Sequence, residues 1–113
     1  MTYREEMQRI KRQTAQLSRA LPDFMQAFYA LSKQSSVEGA LDTKTKELIA
    51  LAIGVSQHCD GCIAFHTQSA LQAGATREEI LEALSVTVFM GGGPALMSAT
   101  HAMEALAELA PAE

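Results

Sequence analysis

The segment between residues 43 and 74 constrains the fold most, because it holds two apolar stretches separated by a short polar break. Apolar residues recur at helical spacing in the first stretch, which predicts a buried helix from about Thr43 to Gln57. Gly74 stands where a glycine commonly ends a helix, so the second helix is expected to run from about Asp60 to Ala73. The two together predict a central helical hairpin.

Four further helices are predicted around this hairpin. The first has apolar residues at helical spacing between Tyr3 and Ala20, and Pro22 suits the first position of the next, which ends at Ser36. The capping box Thr76-Arg-Glu-Glu79 opens another helix, which the three glycines at 91–93 are expected to stop. Pro94 then begins a last helix, and residues 110–113 are expected to form a frayed tail. Asp42 and Thr43 are the candidate N-caps of the hairpin's first helix.

Composition supports an all-α fold. Hydrophobic residues make up 48% of the 113 residues, and Ala, Leu and Met, which favour helices over strands, carry most of that content. The length fits one domain, so residues 1–113 are predicted to form a single all-α six-helix bundle. The apolar surplus suggests that some helix faces are buried against other subunits, as in a homo-oligomer.

Charge and hydropathy argue against several partners. The net charge is −4, and the N-terminal basic residues alternate with Glu5 and Glu6, which is typical of a solvated helix face rather than a nucleic-acid surface. The stretch from Leu48 to Cys59 is too short to span a bilayer, so we expect no membrane contact. The N-terminus shows no apolar signal-peptide core, and a cytoplasmic location is expected.

Both cysteines lie at the predicted start of the hairpin's second helix, as Cys59-Asp-Gly-Cys62. A helix N-terminus offers free N–H groups and a partial positive charge, which lower the pKa of a nearby thiol and favour the reactive thiolate. The two-residue gap lets the sulfurs meet in a reducible disulfide. In a reducing compartment such a pair more often serves redox or metal chemistry than structure.

His66 and Glu47 are the candidate proton carriers for these thiols. His66 follows Cys62 by four residues, so both project from one face of the predicted helix, where the imidazole can take a thiol proton. Glu47 lies on the preceding helix and can fold back toward the cysteines in a hairpin. It could equally be an exposed carboxylate paired with Lys44 or Lys46.

The order Glu47, eleven residues, then Cys59-x-x-Cys62-x-x-x-His66 resembles the motif of the alkylhydroperoxidase D-like group in the carboxymuconolactone decarboxylase family. The flanking segments from about Leu41 to Leu106 are similar as well. The resemblance implies an all-helical domain that assembles into trimers or hexamers. It also implies a redox-active cysteine pair that reduces peroxides or relays electrons between thiols and disulfides, with these four residues as its site. No cofactor is implied.

The motif departs from the family's best-known peroxidases between the cysteines, where they carry a His and this chain has Asp60-Gly61. The helix start favours Cys59 as the attacking thiol, whereas the resemblance favours Cys62, which we prefer. The substrate would be a hydroperoxide or a disulfide, with an external thiol as electron donor. The decarboxylase branch of the family lacks the cysteine pair.

Other interpretations remain open from the sequence. The cysteines could be buried structural thiols, or zinc ligands together with His66 and either His58 or Glu47. An acid–base enzyme acting on a small cyclic acid is the second functional hypothesis, and a non-catalytic metal-binding or assembly module is the third. His58 could cap the preceding helix or line the site entrance, whereas His101 is expected to be a packing or interface residue.

Overall fold

The computed structural model describes residues 1–111, and within that range the chain is entirely helical apart from its connections. This confirms the predicted all-α class. Ala112 and Glu113, half of the tail expected to fray, lie outside the described residues. The helices are α1 (Tyr3–Ala20), α2 (Pro22–Ser36), α3 (Thr43–Ser56), α4 (Asp60–Gln72) and α5 (Arg77–Leu109).

The assigned α5 contains two helical segments joined at a kink, so a break lies within the glycine run, where the sequence predicted that one helix stops and another begins. Its backbone leaves the helical conformation at Gly92, where φ is 69° and ψ is −150°. Pro94 lacks an N–H group and its ring crowds the carbonyl four residues earlier, so the helix has to bend just before it. Glycine accepts the positive φ with little strain, so the helix breaks at Gly92 and a second helical segment follows within α5.

The ends of the helices follow the sequence signals closely. Asp42 caps α3, its carboxylate accepting the Thr45 N–H at 2.7 Å. Thr76 and Glu79 form the predicted capping box at the start of α5, and Gly74 follows α4 with a φ of 94°. These local bonds pair backbone groups that a helix leaves without partners, which explains why the boundaries could be predicted.

The core lies among α3, α4 and α5. Side chains with almost no exposed area fill the space between these helices; they are Leu51, Val55, Ile63, Ile80 and Leu106. α3 and α4 approach so closely that a Cβ added at Gly54 would lie 2.9 Å from the Cβ of Cys62. The predicted hairpin is thus present, and a close contact between its two helices lies directly beside Cys62.

α2 contrasts with this core, since much of its apolar surface is open to solvent. Phe24 and Leu31 are each about two thirds exposed, and Met25 is its buried residue. α3 was expected to be a buried helix, yet Ile49 and Ile53 are about half exposed. The expectation that other subunits cover such faces stays a prediction.

By length and composition alone, α5 could cross a membrane. The segment from Leu48 to Cys59, on which the expectation of no membrane contact rests, does not include this helix. Core helices of soluble proteins meet the same criterion when they are mostly buried, whereas 22% of the apolar window of α5 is buried within this single chain. The finding is weak support for a membrane span, and the absence of membrane contact remains a prediction.

Candidate active site

A disulfide joins Cys59 to Cys62, with their Cα atoms 5.2 Å apart. Cys59 is the N-cap of α4, and its Sγ accepts a hydrogen bond from the Cys62 N–H at 3.2 Å. Both residues are half-buried rather than sealed in the core. The sulfurs therefore stand at the positive end of a helix, as the sequence predicted, and they lie within reach of solvent.

The chain is turned into this position by His58, whose φ of 56° is in the left-handed region that favours glycine. The His58 N–H donates to the Val55 carbonyl at 3.1 Å and the Cys59 N–H donates to the Gly54 carbonyl at 3.0 Å. Paired bonds of this kind end a helix sharply. His58 thus terminates α3, which is one of its two predicted roles.

Glu47 of α3 and His66 of α4 form a hydrogen-bonded pair, which we call the inner pair. The Oε2 atom of Glu47 and the Nδ1 atom of His66 are 2.7 Å apart, with 14% of the Glu47 side chain and 38% of the His66 side chain exposed. An ionised carboxylate only accepts hydrogen bonds, so the imidazole donates through Nδ1 and keeps Nε2 free to take a proton.

The alternative that Glu47 pairs with a nearby lysine is wrong. The Nζ atom of Lys44 lies 2.8 Å from Glu79 of α5, and Lys46 donates to the backbone carbonyl of Val37. Glu47 therefore pairs with His66 across the hairpin.

The structure brings the four predicted site residues together as two bonded pairs. Cys59 bonds Cys62, and Glu47 bonds His66. The link between the pairs is α4 itself, because Cys62 and His66 are one turn apart and share a face of the helix. The catalytic roles of these residues remain predictions.

A second histidine–carboxylate pair, the outer pair, lies on the other side of the cysteines. The Nδ1 atom of His101, on α5, is 2.6 Å from an oxygen of Asp60, the residue that follows Cys59. The hydrogen bond to Asp60 raises the pKa of His101 above 6.5. His101 was expected to be a packing or interface residue, and its bond to Asp60 was not predicted, because no local pattern joins residues 41 positions apart.

His58 also contacts α5. Its Nδ1 atom is hydrogen-bonded to the hydroxyl of Ser98, a residue that is itself buried. The turn before the cysteines is thereby tied to the second half of α5, which also carries His101. Helix α5 thus holds the cysteine turn at two points.

The described residues do not form the ligand set that the zinc hypothesis requires. Residues 1 to 111 contain no group of three or more His, Cys, Asp or Glu side chains arranged to hold a metal ion. Both cysteine sulfurs are bonded to each other.

Comparison with known proteins places this arrangement in a family. The profile of the carboxymuconolactone decarboxylase family matches residues 22–105. The chain belongs to that family. The match begins about one helix earlier than the resemblance that starts near Leu41, so α2 is also part of the shared pattern.

Relatives of this carboxymuconolactone decarboxylase family member share most of its length. An uncharacterised protein of Cupriavidus necator is 44% identical over 94 residues, covering 83% of this chain and 83% of the relative. The uncharacterised protein 4 of the cox locus of Paracoccus denitrificans is 42% identical over 92 residues, with 81% and 83% covered.

Solved structures agree with the fold. The apo form of a carboxymuconolactone decarboxylase family protein from Legionella pneumophila has a TM-score of 0.94 at 44% identity, covering 96% of this chain and 97% of that chain. A family member from Thermotoga maritima has a TM-score of 0.71 at 36% identity, with 75% and 88% covered. The description of the Thermotoga protein suggests a part in the antioxidative response.

Proposed function

We propose that the chain is a thiol-dependent oxidoreductase that reduces hydroperoxides through Cys59 and Cys62. The observation that supports this most is the disulfide at the N-terminus of α4, one turn from the hydrogen-bonded pair Glu47–His66. A reducible disulfide and a proton carrier are the two components that such chemistry needs. The suggested antioxidative role of the Thermotoga protein is consistent with the proposal.

The reaction begins from the reduced pair. A thiolate attacks one peroxide oxygen, the O–O bond breaks, and the leaving oxygen takes a proton and departs as an alcohol or water. The attacking sulfur becomes a sulfenic acid. The second thiol then displaces its hydroxyl as water, forming the Cys59–Cys62 bond, so the two thiols supply both electrons. An external thiol reduces the disulfide and restores the pair.

Cys62 is our choice for the attacking thiol. It lies one turn before His66 on α4, so the free Nε2 of the imidazole is on the same helix face and can accept the thiol proton. Glu47 holds the ring by its other nitrogen and stabilises the imidazolium that forms. Cys59, at the N-cap, then resolves the sulfenic acid.

A second candidate is acid–base chemistry on a small cyclic acid, which the name of the family favours. In that case Glu47 and His66 would act without the cysteines. The two candidates differ in one outcome, because only the redox function requires sulfur at positions 59 and 62.

We also propose that the protein works in the cytoplasm as a homo-oligomer, a trimer or hexamer. A cytoplasm that keeps thiols reduced would maintain the dithiol. Large apolar side chains of α5 are exposed in the single chain, among them Phe89 at 83% and Met90 at 76%. Apolar surface of this kind is commonly covered by another protein surface.

The test is peroxide consumption by the reduced protein with dithiothreitol as donor. Wild type should consume an organic hydroperoxide catalytically, and C62S and C59S/C62S should not exceed the rate without protein. The matched control is S69A, which changes another partly exposed position of α4. Equal rates in wild type and the double serine variant would overturn the redox proposal.

A further inference from the structure

The outer pair occupies a position that the proposed reaction does not use. Asp60 lies between the two cysteines and is the first residue of α4, directly after the N-cap Cys59. Its carboxylate is held by His101, which comes from the second half of α5. A titratable group on a distant helix is thus bonded to the residue adjacent to a redox-active sulfur.

The surroundings of the pair are mostly acidic. Asp60 and His101 line a cleft of about 280 Å³ together with Tyr3, Glu6 and Glu104, and Met1 and Thr2 complete the lining. Glu108 is also close enough to affect Tyr3, whose pKa is raised to about 12 by burial first and then by the charges of Asp60, Glu104 and Glu108. Besides the amino group of Met1, His101 is the lining group that can carry a positive charge.

We propose that the Asp60–His101 pair is a pH-responsive positioning pair that sets the electrostatic field at Cys59. This inference rests on the proposed redox function of the cysteines, since it concerns the regulation of that site. The pair touches no substrate in the scheme, and it acts through the charge beside the sulfur.

The expected direction of the effect on Cys59 ionisation follows from the charges of Asp60 and His101. While His101 is protonated, its positive charge offsets the carboxylate of Asp60, and the Cys59 thiolate meets little repulsion. When His101 loses its proton, the carboxylate charge is uncompensated, and a like charge disfavours the thiolate. As pH rises, deprotonation of His101 therefore opposes that of Cys59, and the thiol should titrate over a wider pH range than an isolated group.

The test uses the C62S chain, in which Cys59 is the one remaining thiol, and measures its rate of alkylation against pH. D60N keeps an oxygen that can accept the His101 N–H but removes the charge, and H101N keeps a donor near Nδ1 but stays neutral. We expect D60N to lower the pH midpoint and H101N to raise it, separated by about half a pH unit or more. Both variants should follow a single-proton curve.

E78Q is the charge-matched control. Glu78 is exposed in the first turn of α5, which follows the far end of α4, about 20 Å of helix away from the cysteines. Its profile should match that of the parent C62S chain. If D60N fails to fold, the upward shift in H101N tests the proposal alone, and the reverse holds if H101N fails.

Midpoints displaced in the stated directions support the inference, and profiles of D60N and H101N that coincide with the parent overturn it. A merely structural role would change stability but not these midpoints. Alkylation needs no peroxide, so failure of the proposed function appears separately, as absence of peroxide consumption by the full chain with both cysteines.

Discussion

The inner and outer pairs flank the same two cysteines with the same chemical groups, yet their surroundings differ. The inner pair joins the two arms of the hairpin, with 14% of Glu47 and 38% of His66 exposed. The outer pair reaches across to α5, with 56% of Asp60 and 47% of His101 exposed. Water screens charges in an exposed pair much more strongly. We therefore propose that the inner pair transfers protons and that the outer pair adjusts the electrostatic field at Cys59.

The largest expected effect is on the rate of peroxide consumption, which should distinguish the role of the inner pair from that of the outer pair. E47Q should lower peroxide consumption by about tenfold to a hundredfold, because a neutral amide no longer stabilises the His66 imidazolium. D60N should leave the maximal rate within about threefold and change mainly its pH dependence. Initial rates across a pH series measure both variants.

Equal losses in E47Q and D60N would contradict the division of roles. Circular dichroism of each variant serves as the control, since the comparison requires that both retain the helical fold of the wild type.

The next effect is on stability, and it concerns two glycines that pack closely beside the cysteines, Gly54 of α3 and Gly61 of α4. G54A would place a Cβ 2.9 Å from the Cβ of Cys62, where two helices meet and neither can easily move. G61A would meet the Cδ1 atom of Ile10 at 2.9 Å, the flexible end of a side chain. We expect G54A to lower the free energy of unfolding by about 1–3 kcal/mol and G61A by less than about 1 kcal/mol.

Urea unfolding monitored by circular dichroism gives both values. G39A is the control, because a Cβ at Gly39 would have nothing within 4 Å, and its stability should match that of the wild type. A G61A variant less stable than G54A would show instead that the contact between Gly61 and Ile10 is the less tolerant one.

Removal of each carboxylate should have unequal effects on stability. E47A leaves the partly buried His66 ring without its partner, at a cost of about 1–2 kcal/mol in the free energy of unfolding. D60A breaks an exposed pair, for which about 0.5 kcal/mol is expected. Chemical denaturation at pH 7 distinguishes the two, and a D60A variant that loses as much as E47A would refute the ranking.

The smallest effect is the pH dependence of stability from the outer pair. The bond to Asp60 raises the pKa of His101 in the folded protein above its ordinary value of 6.5. Its contribution is therefore complete below pH 6.5 and disappears as pH rises through the raised pKa. Because the pair is exposed, the change should be about 0.5 kcal/mol. Unfolding of wild type and D60N at several pH values measures it, and parallel curves would exclude the linkage.

The sequence predicted the inner side of the site well for local reasons. Capping residues such as Asp42 and Gly74 fixed the ends of α3 and α4, and the spacing from Cys62 to His66 placed both on one face. Because the turn of the hairpin is short, Glu47 of α3 then has few possible positions relative to α4. The capping box that Thr2 and Glu5 form at the start of α1 has the same kind of sequence signature, but it was not predicted.

The outer side depends on packing that no short pattern encodes. The bond from His101 to Asp60 requires the path of α5 after its bend, and the angle of that bend depends on how the helix packs against α3 and α4. The break at Gly92 was predicted from the three glycines and Pro94, but the direction in which the second segment of α5 continues was not. Exposed faces such as Ile49 and Ile53 could not be predicted, since periodicity does not say what covers a helix.

The proposed function requires that Cys59 and Cys62 interconvert between dithiol and disulfide within the folded protein. The most direct measurement is an equilibrium titration against mixtures of reduced and oxidised dithiothreitol, quenched by alkylation and read by mass. We expect a single two-electron transition that is the same from both directions, with far-UV circular dichroism unchanged. A disulfide that opens only when the helices unfold, or thiols that do not re-form the bond, would contradict the claim.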